Sequence, residues 1–295
     1  MRLGTRGSQL AMAQAETCAG LLRMANPGMG VEMIIVKTTG DQKADIPLSS
    51  AGGVGLFTKE LEDALLRGEI DAAVHSLKDL PTKTAKGLEL AAVSPREDWR
   101  DAWLSKTEFR SLPQGALIGT GSPRRRSQLL LLRPDLKFTE FRGNVDTRLR
   151  KLEEGAVAGA LLAAAGLSRL GLSKQAKSLF NEDEMLPAPG QGFLGLEMRA
   201  GDEASRKALA SLNDAQARAA SDAERAFLDR LGAGCHAPVA ALGRAEGRKL
   251  DLRGFTQNPD GRVFAGRIDG ELAQGASLGM QLAEMLISQG AELSR

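Results

Sequence analysis

Tyrosine is missing from this chain of 295 residues, and cysteine, histidine and tryptophan occur only twice each. Each scarcity excludes something. The whole stock of soft metal ligands is Cys18, Cys235, His75 and His236, without CxxC or HxxxH spacing, so no metal site is expected. Two distant cysteines are no disulfide scaffold, and they suit a reducing cytoplasm. With so few histidines, proton transfer must fall mainly to carboxylates and lysines. Aromatics make up 4% of the chain, too few for base-stacking surfaces, and no nucleic-acid-binding module is recognisable. No apolar run approaches membrane-spanning length, and the opening MRLGTRGSQLAMAQA lacks an apolar leader core, so neither a membrane partner nor export is expected.

What is present is ordinary in bulk and unusual in placement. The net charge is only +2, with 42% hydrophobic and 26% charged residues, so any anion site has to come from local clustering. Short apolar runs at 31–39, 70–76, 88–94, 116–122 and 136–143 read as strands. Helical patterns at 8–24, 56–67, 123–133 and 144–154 alternate with them, which predicts a mostly parallel, covered α/β sheet. The charged stretch 95–103 and the Pro/Gly-rich stretch 186–199 read as two crossings between α/β domains, which leaves a cleft between them. From about residue 215 the texture changes. A helix (215–231), the loop LGAGCHAPVA (231–240), two strands joined by a turn at 258–261, and an amphipathic helix (278–289) with Leu278, Leu282, Met285 and Leu286 on one side predict a small α+β unit. The expected domains are 1–95 with 192–212, then 98–188, then 215–295.

Several turns between strand and helix carry arginine. In ALIGTGSPRRRSQL (116–129), the strand runs through Gly119-Thr120-Gly121, Ser122 reads as an N-cap and Pro123 as the first helical residue. Arg124, Arg125 and Arg126 then crowd the positive end of a helix, each at a cost of about 0.3–1 kcal/mol unless an anion offsets it. An anion site and a solvated basic turn are the two readings. FRGNVDTRLRKL (141–152) repeats the arrangement with Arg142, Gly143, the cap Asn144 and Arg148. GTRGSQLAMAQA (4–15) does so with Arg6 and Ser8, and Arg169 adds a further cation or a surface charge. Distributed guanidinium groups suit a ligand with many acidic arms.

IDAAVHSLKDLP (70–81) ends an apolar strand in His75, Ser76, Lys78 and Asp79, at the end of a strand where open α/β sheets bind ligands. Asp79 beside Lys78 reads either as proton-handling chemistry or as an ion-paired loop. SSAGGVGLFTKELEDAL (49–65) is a glycine-rich loop before a helix and departs from the nucleotide phosphate-loop pattern. Gly52, Gly53 and Phe57 read as part of a flap over the cleft. Cys235, flanked by small residues, is open to close approach; as a free thiol it is a nucleophile or a small buried hydrophobe.

Taken in order, GTRGSQLA, GGVGLFTKELE, DAAVHSLKDLP, GTGSPRRRSQL, FRGNVDTRL, LAAAGLSRLGL, LPAPGQGFLGLE, AER and GAGCHAPV closely resemble the porphobilinogen deaminase (hydroxymethylbilane synthase) family. The resemblance runs through nearly the whole chain. It implies two α/β domains built like periplasmic-binding-protein halves flanking a cleft, plus a small third domain. The implied reaction is a transferase step of tetrapyrrole (porphyrin) biosynthesis: four porphobilinogen units are joined head to tail with loss of ammonia, and the chain is then hydrolysed to hydroxymethylbilane. It further implies a dipyrromethane cofactor held by a thioether at Cys235 and a catalytic carboxylate at Asp79. Ser76, Lys78, Asp79, Thr120, Ser122, Arg124, Arg125, Arg142, Gly143 and Arg148 are implied to hold the cofactor, and Arg6, Ser8, Arg142, Arg148 and Arg169 the substrate. A cytoplasmic monomer is expected. Some family members carry flap lysines where this chain has Ser50 and Val54. The rival readings are a non-catalytic small-anion binder, which leaves Cys235 without a role, and a cysteine hydrolase, for which only His75 or His236 could serve as partner.

Overall fold

The computed structural model describes residues 1–38, 58–232 and 237–293. Cys235 and His236, together with Ser50, Gly52, Gly53, Val54 and Phe57 of the glycine-rich loop, lie outside the described residues.

The first sheet has the order β2-β1-β3-β10-β4, from β1 (Arg2–Arg6), β2 (Glu32–Val36), β3 (Ala72–Ser76), β4 (Leu88–Val93) and β10 (Leu194–Arg199). The second has the order β7-β6-β8-β5-β9, from β5 (Asp101–Leu104), β6 (Leu117–Gly119), β7 (Lys137–Thr139), β8 (Gly159–Ala163) and β9 (Ser178–Leu179). In each sheet four strands run one way, as the sequence leads one to expect, and a single strand that it did not reveal runs against them. In the first, β1 pairs in parallel with β2 and β3, whereas β10 runs antiparallel between β3 and β4. In the second, β6 is parallel to β7 and β8, whereas β5 is antiparallel to β8 and β9.

The reason lies in the crossings. Each stretch read as a connection contains a strand: β5 falls at the end of 95–103 and β10 at the end of 186–199. On arriving in the new sheet, the chain enters it antiparallel between two strands. β5 is buried throughout, and the charged Asp101 at its start hid it from an apolar-run criterion.

Helices cover both sheets and begin where their caps place them. Ser8 caps α1 (Gln9–Ala25) by accepting from the Ala11 N–H, and α2 is Lys59–Leu66. Ser122 caps α3 (Pro123–Leu132) by accepting from the Arg125 N–H, with Pro123 in the first turn. At α4 (Val145–Glu153) Asn144 holds the cap position without a side-chain bond. α5 (Ala164–Arg169) follows β8, and α6 (Glu203–Leu209) follows β10. Leu3, Ala15, Leu22, Val74, Leu196 and Met198 form one core between the first sheet and α1, and Trp103, Ile118, Leu129 and Leu161 form another in the second sheet.

The C-terminal part holds three strands, one more than expected: β11 (Val239–Glu246), β12 (Lys249–Gln257) and β13 (Val263–Glu271), all antiparallel. The 258–261 turn joins β12 to β13, closed by the Gly261 N–H to the Asn258 carbonyl at 2.9 Å. β13 alternates between exposed and half-buried residues, the period of a sheet with one covered face. α7 (Ala215–Arg230) and α8 (Gly275–Ser288) cover it, with Phe227, Leu278, Leu282 and Leu286 in the core. Met285 is partly exposed, at the edge of that face instead of on it as expected. A Cβ at Gly275 or Gly279 would stand 2.5 or 2.1 Å from the carbonyls of Ala219 and Ala223, so the two helices meet backbone to backbone. Among the described residues no helix is long and apolar enough to cross a membrane.

Candidate active site

β3 delivers Ser76 at its end, and a single 3-10 turn, Leu77–Asp79, turns Lys78 and Asp79 out of the sheet before Pro81. Ser76 Oγ accepts from Gln14 Nε2 at 2.8 Å. Arg6, at the end of β1, lines the same small cavity as Ser76 and Asp79. Asp79 itself is exposed. Behind it, the Arg225 guanidinium on α7 donates to the carbonyls of Leu80, Pro81 and Thr82 at 3.1, 2.7 and 3.0 Å. The third sheet's helix therefore clamps the segment that carries Asp79.

The second sheet supplies the facing cations. Arg124 and Arg125, both buried, share the carboxylate of Asp101: Arg124 Nη1 to Oδ2 at 2.6 Å, and Arg125 Nη2 and Nε to Oδ1 at 2.6 and 3.0 Å. Burial opposes the Asp101 charge, but the two guanidinium groups hold its carboxyl well below the usual carboxylate range. Two of the cations misplaced at the start of α3 are thus offset from inside the protein, by a residue that nothing in the sequence singles out. Thr120 Oγ1 accepts from the Ser122 N–H at 3.2 Å and shapes the same turn. Arg126 points elsewhere, exposed and over the Phe138 ring.

Lys78 and Arg148 are where the two walls meet. Burial, with Arg125 and Arg124 nearby, lowers the Lys78 ammonium to about 8, although Asp79 and Asp101 pull the other way. Burial, with Arg125 and Arg142 nearby, lowers Arg148 to about 10, again against Asp79. Asp79 thus lies in the field of cations from both sheets. Arg148 Nε donates to the Gly143 carbonyl at 2.8 Å, and Arg142 pairs with Glu140 at 2.9 Å. Gly143 has φ 109°, a conformation that favours glycine, and a Cβ there would stand 2.7 Å from the Thr147 side chain.

Arg169 takes a different place. Its Nη2 donates to the Gly192 carbonyl at 2.7 Å, in the second crossing, and burial lowers its pKa, with Glu97 and Cys18 as the charged or ionisable neighbours. Ser8 serves as the cap of α1. Cys18 is a buried free thiol pushed up to about 12, hence unreactive. A wider groove of about 530 Å³ runs between Arg96–Arg100, Asn181–Asp183 and Arg244, but its charges answer one another, as in Arg244–Glu182 at 2.5 Å and Arg100–Asp98 at 2.7 Å.

Two regions of family similarity account for nearly the whole chain. Residues 1–207 match a family model described as "Porphobilinogen deaminase, dipyromethane cofactor binding domain", and residues 219–288 match "Porphobilinogen deaminase, C-terminal domain". The chain belongs to the porphobilinogen deaminase family. It is 49% identical to the porphobilinogen deaminase of Trichlorobacter lovleyi over 292 residues, covering 98% of this chain and 94% of that one. The relative from Paracoccus denitrificans is also 49% identical, at 97% and 93% coverage. Among solved structures, a periplasmic substrate-binding protein of an ABC transporter from Coxiella burnetii is similar at 16% identity and a TM-score of 0.46, over 72% of this chain and 91% of that one.

The donor set fits the family's dipyrromethane. Around Asp79 the described cations outnumber the described carboxylates even after Asp101 and Glu140 are counted, and among the described residues the side chain of Lys78 has Gln191 Oε1, at 3.3 Å, as its hydrogen-bond partner. A polyanion with several carboxylate arms completes such a set.

Three residues of the arrangement escaped sequence reasoning. Gln191, fully buried, accepts from Lys78 and donates from Nε2 to the Trp99 carbonyl at 2.7 Å and to Asp101 Oδ1 at 3.2 Å. It ties the Asp79 turn to the arginine-binding carboxylate. Glu224, also fully buried, accepts from Arg96 Nη1 at 2.6 Å and from the N–H groups of Gly190 and Gly243, both at 2.7 Å. Asp101 is the third. A signal did exist for Gln191: Gly190 and Gly192 flank it with φ 82° and 97°, so a polar residue is presented from a backbone only glycine adopts easily. For Asp101 and Glu224 the sequence offers only a carboxylate within a pattern that buries it.

Proposed function

We propose that this chain is a working porphobilinogen deaminase, a transferase that joins porphobilinogen units on a dipyrromethane cofactor toward hydroxymethylbilane. The observation that carries the reading is the position of Asp79, an exposed carboxylate in the field of Lys78 and Arg148, which themselves lie near Arg125. The cofactor, when bound, supplies the pyrrole end that is extended. Cys235 is the thiol assigned to hold it, on the strength of the family motif GAGCHAPV and of the inertness of Cys18.

The chain's own groups divide the work by charge. Arg125, Arg142, Arg148 and Lys78 take acetate and propionate arms, and Arg6 and Ser76 line the approach to Asp79 from the first sheet. Arg124 keeps Asp101 in place beneath them, and Thr120, Ser122 and Gly143 shape the turns that aim the guanidinium groups. Ser8 acts through the start of α1 and Arg169 through the second crossing. Asp79 stabilises positive charge that develops on a pyrrole as an amino group departs, and it holds or returns the proton. Cations that pair with the acid arms leave that single carboxylate facing the ring, a division of labour one tight clamp would not give.

The same reading divides the chain into 1–95 with 192–212, 98–188, and 215–295, with the first two built like periplasmic-binding-protein halves about the cleft. Support comes from the two five-stranded sheets exchanging strands at the crossings. It takes the working unit to be a monomer. It places the protein in the cytoplasm, where the free thiol of Cys18 suits a reducing compartment. Incubation with porphobilinogen tests the activity: ammonia release matched to formation of a linear tetrapyrrole is expected, and porphobilinogen left unconsumed would refute it.

A further inference from the structure

The turn that carries Asp79 is held at both of its ends by consecutive residues of α7. At its far end, the buried Arg225 donates to three successive carbonyls, those of Leu80, Pro81 and Thr82. These residues belong to no helix or strand, so their carbonyls need partners from elsewhere in the chain. Thr82 Oγ1 adds a bond to Asp229 Oδ1 at 2.9 Å, one turn further along the same helix. At its near end, Glu224 accepts from the Gly190 N–H at 2.7 Å, and Gly190 lies directly against the turn's backbone. A Cβ on Gly190 would stand 2.9 Å from the Lys78 nitrogen and 3.1 Å from the Leu77 carbonyl carbon. Leu77 and Leu80, which flank Lys78 and Asp79, are buried in one core with Ala220, Ala223 and Phe227 of α7.

We propose that Arg225 is a positioning residue for the condensation: it fixes the backbone that carries Asp79 relative to α7, and with it the place of the carboxylate at the reacting ring. The inference rests on the deaminase reading. A carboxylate that stabilises developing charge works only in a narrow range of distance and angle, and a shift of about 1 Å can cost on the order of 100-fold in rate. The three hydrogen bonds of Arg225 all go to the backbone of the Asp79 segment, so its effect on the reaction runs through that carboxylate and not through the acid arms. A planar guanidinium fork spans three neighbouring carbonyls as a single ammonium cannot. α7 ends at Arg230, five positions before Cys235. One helix thus links the grip on the catalytic carboxylate to the segment assigned to hold the cofactor.

The test measures kcat and KM for porphobilinogen on cofactor-loaded protein, with loading read by intact mass. Arg225→Met keeps the apolar stem and removes the donors; kcat should fall roughly 10- to 100-fold with KM within about twofold of the wild type. Arg225→Lys should lose less, and it stands in where Arg225→Met does not fold. The deciding step repeats the substitution in an Asp79→Asn background, where its effect should shrink to about twofold or less because the carboxylate it places is gone. Arg218→Met, which cuts a bond from the same helix to the Leu90 carbonyl of β4 at 3.0 Å, should lower the melting temperature and leave kcat unchanged. An unchanged kcat in Arg225→Met, losses that multiply in the double variant, or an equal fall in kcat for Arg218→Met would overturn the proposal. Wild-type protein that leaves porphobilinogen unconsumed would remove the deaminase reading and this inference with it, whereas multiplied losses in an active enzyme remove the role of Arg225 alone.

Discussion

Replacing Asp101 by asparagine changes one charge and almost no volume, yet it should be among the most damaging substitutions in the chain. Asp101 is fully buried and accepts four hydrogen bonds, one from Arg124 Nη1, two from Arg125 and one from Gln191 Nε2. Asparagine keeps one acceptor oxygen and turns an NH₂ group toward a guanidinium donor. Two buried cations then share no counter-charge. Removing one partner of a buried ion pair costs about 3–5 kcal/mol. For a folding unit of this size, that is a fall in melting temperature on the order of 10 °C or more. Calorimetry on the cofactor-loaded protein is the assay, since a multidomain chain need not unfold in one step and its component transitions must be resolved. The sign also has a pH dependence. The folded carboxyl is held below its unfolded value, so the stabilisation is complete above about pH 4 and fades as pH falls further. The wild-type advantage over Asp101→Asn should therefore shrink in acid. A variant that melts within about 2 °C of the wild type at pH 7 would show that Arg124 and Arg125 are not balanced by this carboxylate.

Three further outcomes are expected. Asp79→Asn should retain the cofactor and lose most of the rate, by about 100-fold or more, measured as porphobilinogen consumed per unit of cofactor-loaded protein; an unaffected rate would take Asp79 out of the mechanism. Lys78, lowered to about 8, binds fewer protons folded than unfolded between about pH 8 and 10. Its burial therefore destabilises the fold below pH 8, and that cost is relieved as pH rises through the window. Acidic ligands favour the charged form, so KM for porphobilinogen should climb several-fold from about pH 7 to 9 in the wild type and stay flat in Lys78→Arg; parallel profiles would contradict this. Gln191→Leu should cost about 2 kcal/mol or more by leaving the Trp99 carbonyl and Lys78 without partners, read as a lower melting temperature, and an unchanged transition would remove Gln191 as the link between the walls.

Much of this arrangement could be read in the residues, and the failures share a cause. Caps and turns are local, so Ser8, Ser122 with Pro123, and the Asn258–Gly261 turn stand where the sequence puts them. The end of β3 likewise delivers Ser76, Lys78 and Asp79 together, because Pro81 stops any helix there. What escaped was non-local. Antiparallel entry of β5 and β10 depends on where the chain lands after a crossing, and no periodicity encodes that. β11 escaped as well, so the C-terminal sheet has three strands where two were expected. Asp101, Gln191 and Glu224 do not stand out until their partners, up to 128 positions away in the case of Arg96 and Glu224, are brought alongside. Of the two readings of the arginines at the start of α3, an anion site and a solvated basic turn, Arg124 and Arg125 meet an anion inside the protein, Asp101, and Arg126 is exposed.

The account depends most directly on a covalent pyrrole anchor at Cys235, and intact-mass measurement tests it. Freshly purified, active protein should weigh more than its 31.3 kDa polypeptide by one dipyrromethane, and Cys235→Ala should return the mass to that of the bare chain and abolish turnover. Active wild-type protein with the mass of the polypeptide alone would contradict the account.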